Sequence, residues 1–230
     1  MDSDEWTIEN SLFDNATIMT NVAEDGSVTT IHNDVSLENV TIDDIFSLFR
    51  VYPIGFQRNE EVHLYRFYPD ADQVLGTVEW NTMDDLRYNV YVPCYPMLLT
   101  DTWEGFQISV GDAVTSEEEP APGDYYVKDG VYHVYPEGWE NSYYWTMDAL
   151  SNAMTYGDVS EEDQELVTTQ LLGLQTELEE KFEDITSRII EAGSLEEQQE
   201  IMTAAAAEMS RQVHDLALGL YQSIRGRSLD

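Results

Sequence analysis

The chain has 230 residues, 42 % of them apolar and 11 % aromatic, enough for one large domain or for a sheet domain with a helical part. Its 46 acidic residues against 10 basic ones leave a formal charge of −36, a surface that repels the phosphates of nucleic acid and of anionic lipid. One cysteine, Cys94, excludes an internal disulfide framework.

The start, MDSDEWTIEN, has neither a basic nor an apolar segment of the signal-peptide kind, and no apolar run is long enough to span a membrane. These features predict a soluble, cytoplasmic chain. Residues 1–35 are polar and weakly patterned; Ala23 to Ser27 has turn chemistry, and Val28 to Ile31 reads as a short strand beside it. Thr41 then caps a helix near 41–50, with Asp44 at the capping-box position and an apolar stripe of Ile42, Ile45, Phe46 and Phe49. Pro53 ends that helix.

From Glu61 to Pro96 the chain alternates large apolar residues with others in three runs, EVHLYRFYP, QVLGTVEWN and RYNVYVPCYP, joined by short acidic connections. Period-2 alternation bounded by Pro and Asp predicts an antiparallel meander with strands near 61–68, 74–81 and 87–94. Beyond it, Phe106, Ile108 and Val110 alternate as in a further strand, and the loop from Ser116 to Gly123 is the segment expected to be most mobile. Asp129-Gly130 suits a two-residue type I′ turn, so residues 125–135 read as a β-hairpin.

The remainder reads as helix near 142–155, 161–192 and 195–225. Asn141 is the expected cap of the first, with Gly157 expected in a left-handed conformation at its end. Ser160 and Asp163 open the second, whose seam is Val167, Leu171, Leu174, Leu178, Phe182, Ile185 and Ile189. Gly193 stops it; Ser194 and Glu197 cap the third, with a seam of Met202, Ala205, Met209, Val213, Leu216, Leu220 and Ile224. A Gly-Ser break between two long helices requires them to fold back antiparallel. The expected organisation is therefore α+β, with a β-rich part at 1–140 and a helical part at 141–230.

Several stretches, taken in order, resemble the C-terminal half of the family C69 dipeptidases, a branch of the N-terminal-nucleophile (Ntn) hydrolases. They are Glu61-Val62-His63, the Val-Glu-Trp ending at Trp80, Tyr91-Val92-Pro93-Cys94-Tyr95, and Ser142-Tyr143-Tyr144-Trp145 at the start of a helix. The resemblance runs from roughly Thr41 to the end of the second long helix. It implies that the sheet forms part of an Ntn-type αββα sandwich, that the activity is dipeptide hydrolysis, and that the nucleophile is a cysteine at a processed N-terminus. Such enzymes use the α-amine of the first residue, with a pKa of about 8, as their base.

This chain begins Met1-Asp2-Ser3, with no cysteine before Cys94, which reads as a small buried hydrophobe. The nucleophile is thus expected upstream, the other half of the fold is the expected partner, and the chain alone is expected to be inactive. No catalytic residue is assigned. Candidate substrate contacts are Arg66, whose guanidinium can grip a carboxylate, His63 on the opposite face of the same strand, and Asn81 as an amide donor; Glu61 and Glu79 are candidates for an ammonium. No cofactor or metal is implied: the four histidines are dispersed, and neither H-E-x-x-H nor paired C-x-x-C spacing occurs.

Two other readings remain. An aromatic β surface (Tyr88, Tyr91, Tyr95, Tyr125, Tyr132) suits a non-enzymatic peptide- or glycan-binding module. The helical hairpin suits an assembly domain that forms homo-oligomers.

Overall fold

The computed structural model describes residues 19–22, 28–31, 41–50, 61–120 and 124–228. The fold is mixed α+β, and the chain divides into two compact units, Met1–Gly55 and Phe56–Asp230. The change from strand-rich to helix-rich sequence near residue 140 falls inside the second unit.

In the first unit, β1 (Met19–Val22) and β2 (Val28–Ile31) pair antiparallel. Helix α1 (Ile42–Phe49) follows Thr41, whose N–H donates to Asp44 Oδ2 at 2.8 Å while the Asp44 N–H donates to Thr41 Oγ1 at 3.2 Å. This reciprocal pair satisfies donors that a helix start leaves open. Pro53 lies outside the described residues.

The second unit opens with an antiparallel sheet in the order β3 (Glu61–Phe67), β4 (Thr77–Met83), β5 (Val92–Cys94). The last strand is shorter than the alternation suggested. Residues Leu86–Tyr88 form a 3₁₀ turn capped by Asp85, and the Tyr91 N–H leaves the ladder to donate to Gln175 Oε1 at 2.7 Å. Register places Leu64 opposite Trp80 and Arg66 opposite Val78, so these side chains share one face. Helices cover it: Val78 and Trp80 are buried, and Trp80 Nε1 donates to Glu179 Oε1 at 3.0 Å.

A second sheet has the order β6 (Val114–Ser116), β8 (Val131–Val134), β7 (Tyr125–Lys128). Asp129 and Gly130 both have positive φ (53° and 80°), as a type I′ turn requires. The strand expected through Phe106, Ile108 and Val110 is absent. Trp103 instead folds its ring against Gly105, where a Cβ would lie 2.4 Å from a ring carbon, and Glu104–Phe106 forms a 3₁₀ turn. The apolar residue that mimicked a strand, Phe106, packs on Tyr143 with ring centroids 4.5 Å apart.

Helix α2 (Tyr143–Tyr156) starts one residue later than expected. Ser142 holds the cap position, because Asn141 closes a 3₁₀ turn and its Nδ2 donates to the Gly138 carbonyl. Gly157 is extended rather than left-handed (φ −78°, ψ 158°); its need is space, since a Cβ there would sit 2.3 Å from the Ala153 carbonyl oxygen.

Helices α3 (Glu161–Glu191) and α4 (Leu195–Ser228) pack antiparallel, with Lys181 Nζ 2.5 Å from Glu208 Oε1 and Gln198 Nε2 donating to the Ile189 carbonyl near the turn. Both seams are buried except Leu174 and Leu216, which are half-buried, while neighbours Gln175 and Ala217 go fully inside. Helix α4 also contacts α2 and β5, so the second unit has one continuous core. No described helix is long and apolar enough to cross a membrane.

Candidate functional site

The sheet face opposite the helices carries the polar groups. Register sets His63 directly across from Asn81 and Tyr65 across from Glu79, which in turn faces Cys94 on β5. His63 Nδ1 lies 2.5 Å from Glu79 Oε1, and the Tyr65 hydroxyl donates to the same oxygen at 3.2 Å. A carboxylate accepts, so Nδ1 is the donor in this pairing, and the other ring nitrogen, Nε2, lies 3.8 Å from Glu61 Oε2. Glu61, His63 and Asn81, with Thr82, Met83, Thr102 and Phe106, line a pocket of about 220 Å³. An oriented imidazole beside an amide and a carboxylate can take up a proton or hold a polar, cationic end.

The structure therefore brings His63, Asn81, Glu61 and Glu79 together. It separates Arg66 from them: that side chain is exposed on the helical side of β3, its guanidinium 5.0 Å above the Tyr68 ring. Asn81 is a strand residue, not part of a turn.

Cys94 is 2 % exposed, and burial, then the Glu79 charge, push its thiol up to about 12. A thiol in that setting stays protonated and is a poor nucleophile. Along β3 this face is exposed and aromatic, whereas Glu79, Val92 and Cys94 on β4 and β5 are buried: His63, Tyr65 and Phe67 stack in a ladder with centroid spacings of 6.4 and 6.5 Å, and Tyr65 and Phe67 are 52 % and 71 % exposed.

A second polar cluster escaped sequence reasoning. Asp84, in the left-handed region at φ 64°, ends β4 and accepts from Ser151 on α2. Burial pushes its carboxyl up to about 6, and burial together with the Asp84 charge pushes Asp148 up to about 7, with Asn152 Nδ2 donating to Asp148 at 2.8 Å. Neighbouring Asp85 is buried but paired with Arg87, which also donates to Thr155 Oγ1. The Asp84-Asp85 pair belongs to one of the short acidic connections of the meander, and it is buried where α2 packs against it. The proposed aromatic surface also dissolves in part, because Tyr91 and Tyr95 belong to the core.

Among the described residues, no group of three or more His, Cys, Asp or Glu side chains is placed to hold a metal ion. No family model matches the chain, and no curated protein matches it either.

Proposed function

We propose that this chain is the scaffold part of a C69-like cysteine dipeptidase of the Ntn class, working with a nucleophile supplied by an upstream half. The observation that carries the reading is the asymmetry of the β3–β4–β5 sheet. One face is covered by helices, and on the other β3 presents Tyr65 and Phe67 to solvent beside the His63–Asn81 pocket, while Glu79, Val92 and Cys94 on β4 and β5 are buried. An αββα sandwich cut between its two sheets would leave a helical layer, a sheet and one open sheet face. The N-terminal half is the occupant this reading assigns to that face. The chemistry is consistent with the division of labour: Cys94 is buried beside an acid, so the attacking thiol comes from elsewhere, while His63, Asn81 and Glu61 receive the dipeptide and its ammonium group.

The test is reconstitution. The purified chain alone is expected to release no amino acids from a dipeptide panel, whereas co-expression with a cysteine-led upstream segment restores hydrolysis and protects Tyr65 and Phe67 from solvent. Turnover by the isolated chain would refute the reading. A second reading, assembly through the helical hairpin, draws on Ile190 and Leu195, which are exposed beside the α3–α4 turn. Light scattering across protein concentrations distinguishes it: the hairpin reading requires a dimer that Ile190→Lys dissolves.

A further inference from the structure

We propose that the outer edge of β3 is a dimerisation strand, to which a second copy of this chain adds antiparallel with Leu64 at the two-fold axis. Among the described residues β3 pairs with β4 alone, so it ends its sheet. The Tyr68 N–H donates at 2.8 Å to the carbonyl of Gly76, the residue opposite it when the β3–β4 register is continued, and this sets the phase of the ladder. Val62, Leu64 and Arg66 therefore exchange hydrogen bonds with β4, while Glu61, His63, Tyr65 and Phe67 turn both backbone groups off the sheet. Pro93 gives an independent check of that phase: it has no N–H to offer and faces Trp80, whose backbone groups point to β3.

Proteins ordinarily blunt a sheet edge with Pro, Lys, a bulge or a very short strand. In β3 none of these occurs. Its seven residues run in unbroken register, without Pro or Lys, and carry Tyr65 and Phe67 at 52 % and 71 % exposure. An apolar edge of this kind is a template for another strand.

Two observations select a second copy as the occupant. The edge is self-complementary: with Leu64 facing its counterpart, Glu61 meets Phe67 and His63 meets Tyr65 of the other copy, so all the outward backbone groups of the strand are paired. A shift of two residues in either direction leaves an end residue unpaired. The stacked rings of His63, Tyr65 and Phe67 then continue across the axis. Charge points the same way. Two copies at −36 repel each other, but β3 carries one acid, Glu61, and one base, Arg66, so they approach along this edge with no net charge on either strand. The inference goes beyond the hydrolase reading, which assigns the open face of the sheet and not its edge.

Light scattering of the purified full chain across protein concentrations tests the proposal. A monomer–dimer equilibrium is expected, and it should tighten between about 0.05 M and about 1 M salt, because screening removes repulsion between the acidic copies. Phe67→Pro deletes an N–H that points away from β4. It is expected to weaken the dimer roughly tenfold or more, since each copy loses a hydrogen bond, with the circular dichroism spectrum unchanged. Leu64→Cys is expected to form an intermolecular disulfide on mild oxidation, because the facing Cα atoms lie about 4.5 Å apart. Phe67→Cys, roughly 20 Å from its counterpart in this register, is expected not to. A monomer at every concentration in both salts, a dimer that Phe67→Pro leaves intact or Ile190→Lys abolishes, or cross-linking no better at Leu64→Cys than at Phe67→Cys would overturn it.

Discussion

Asp84 and Asp148 bring two carboxylates from separate elements into one buried region: Asp84 accepts the Ser151 hydroxyl, and Asp148 lies one turn earlier on α2. Asp85 and Arg87 beside Asp84, and Lys128 of β7 beside Asp148, supply the surrounding charge. Both acids are pushed above their ordinary value of 3.8, to about 6 and about 7, so the folded chain holds protons that the unfolded chain releases. Stability should therefore fall as pH rises through 6 and 7 and be regained as pH drops toward 4, the opposite of a paired carboxylate. Thermal unfolding between pH 5 and 8.5 measures this. Asp148→Asn should raise stability at pH 8 by on the order of 1–2 kcal/mol and flatten the profile; an unchanged slope would contradict the account.

Gln175 clips the strand to α3. Its amide accepts from the Tyr91 N–H at 2.7 Å and donates to the Tyr91 carbonyl at 3.1 Å and to Glu179 at 3.0 Å. Gln175→Leu fills similar space but leaves both Tyr91 backbone groups buried without that partner. Urea unfolding should show a loss of roughly 2–4 kcal/mol, and the Tyr91 amide should exchange with solvent faster.

Cys94 should be silent to thiol reagents in the native state at pH 7.5 and react stoichiometrically once guanidinium exposes it. Cys94→Ser, which puts a hydroxyl where the thiol is buried, should lower stability by about 1–3 kcal/mol. Rapid native modification would show that β5 opens without global unfolding.

Gly157→Ala is expected to be worse than a helix-end Gly→Ala usually is. The added Cβ meets the Ala153 carbonyl oxygen at 2.3 Å, and that oxygen also accepts the Gly157 N–H at 2.9 Å. A loss of roughly 1–3 kcal/mol, read by chemical denaturation, would mark backbone displacement at the end of α2.

Much of the architecture was legible because it depends on local pattern. Alternation in EVHLYRF, the Asp129-Gly130 turn, the Thr41 and Ser160 caps and the heptad spacing of α3 all act within a few residues. What stayed hidden is decided by distant partners. Phe106 follows Trp103 and Tyr143 rather than its neighbours, and Gln175 is polar yet buried because strand β5 begins one residue after the Tyr91 it serves. Of the candidate site, His63 and Asn81 were legible as strand residues. Their meeting depends on a register that pairs residues 18 positions apart, and alternation alone does not set it. Arg66 carried the right chemistry on the wrong side of its strand.

Helix α4 supplies Met202, Met209, Val213 and Tyr221 to a core whose sheet ends at Cys94. A ribosome adding about 5–20 residues per second needs roughly 7–27 s to travel from that strand to the end of α4. During that interval the nascent sheet has no final cover, so chaperone occupancy on the growing chain should peak after β5 emerges and fall when α4 is released.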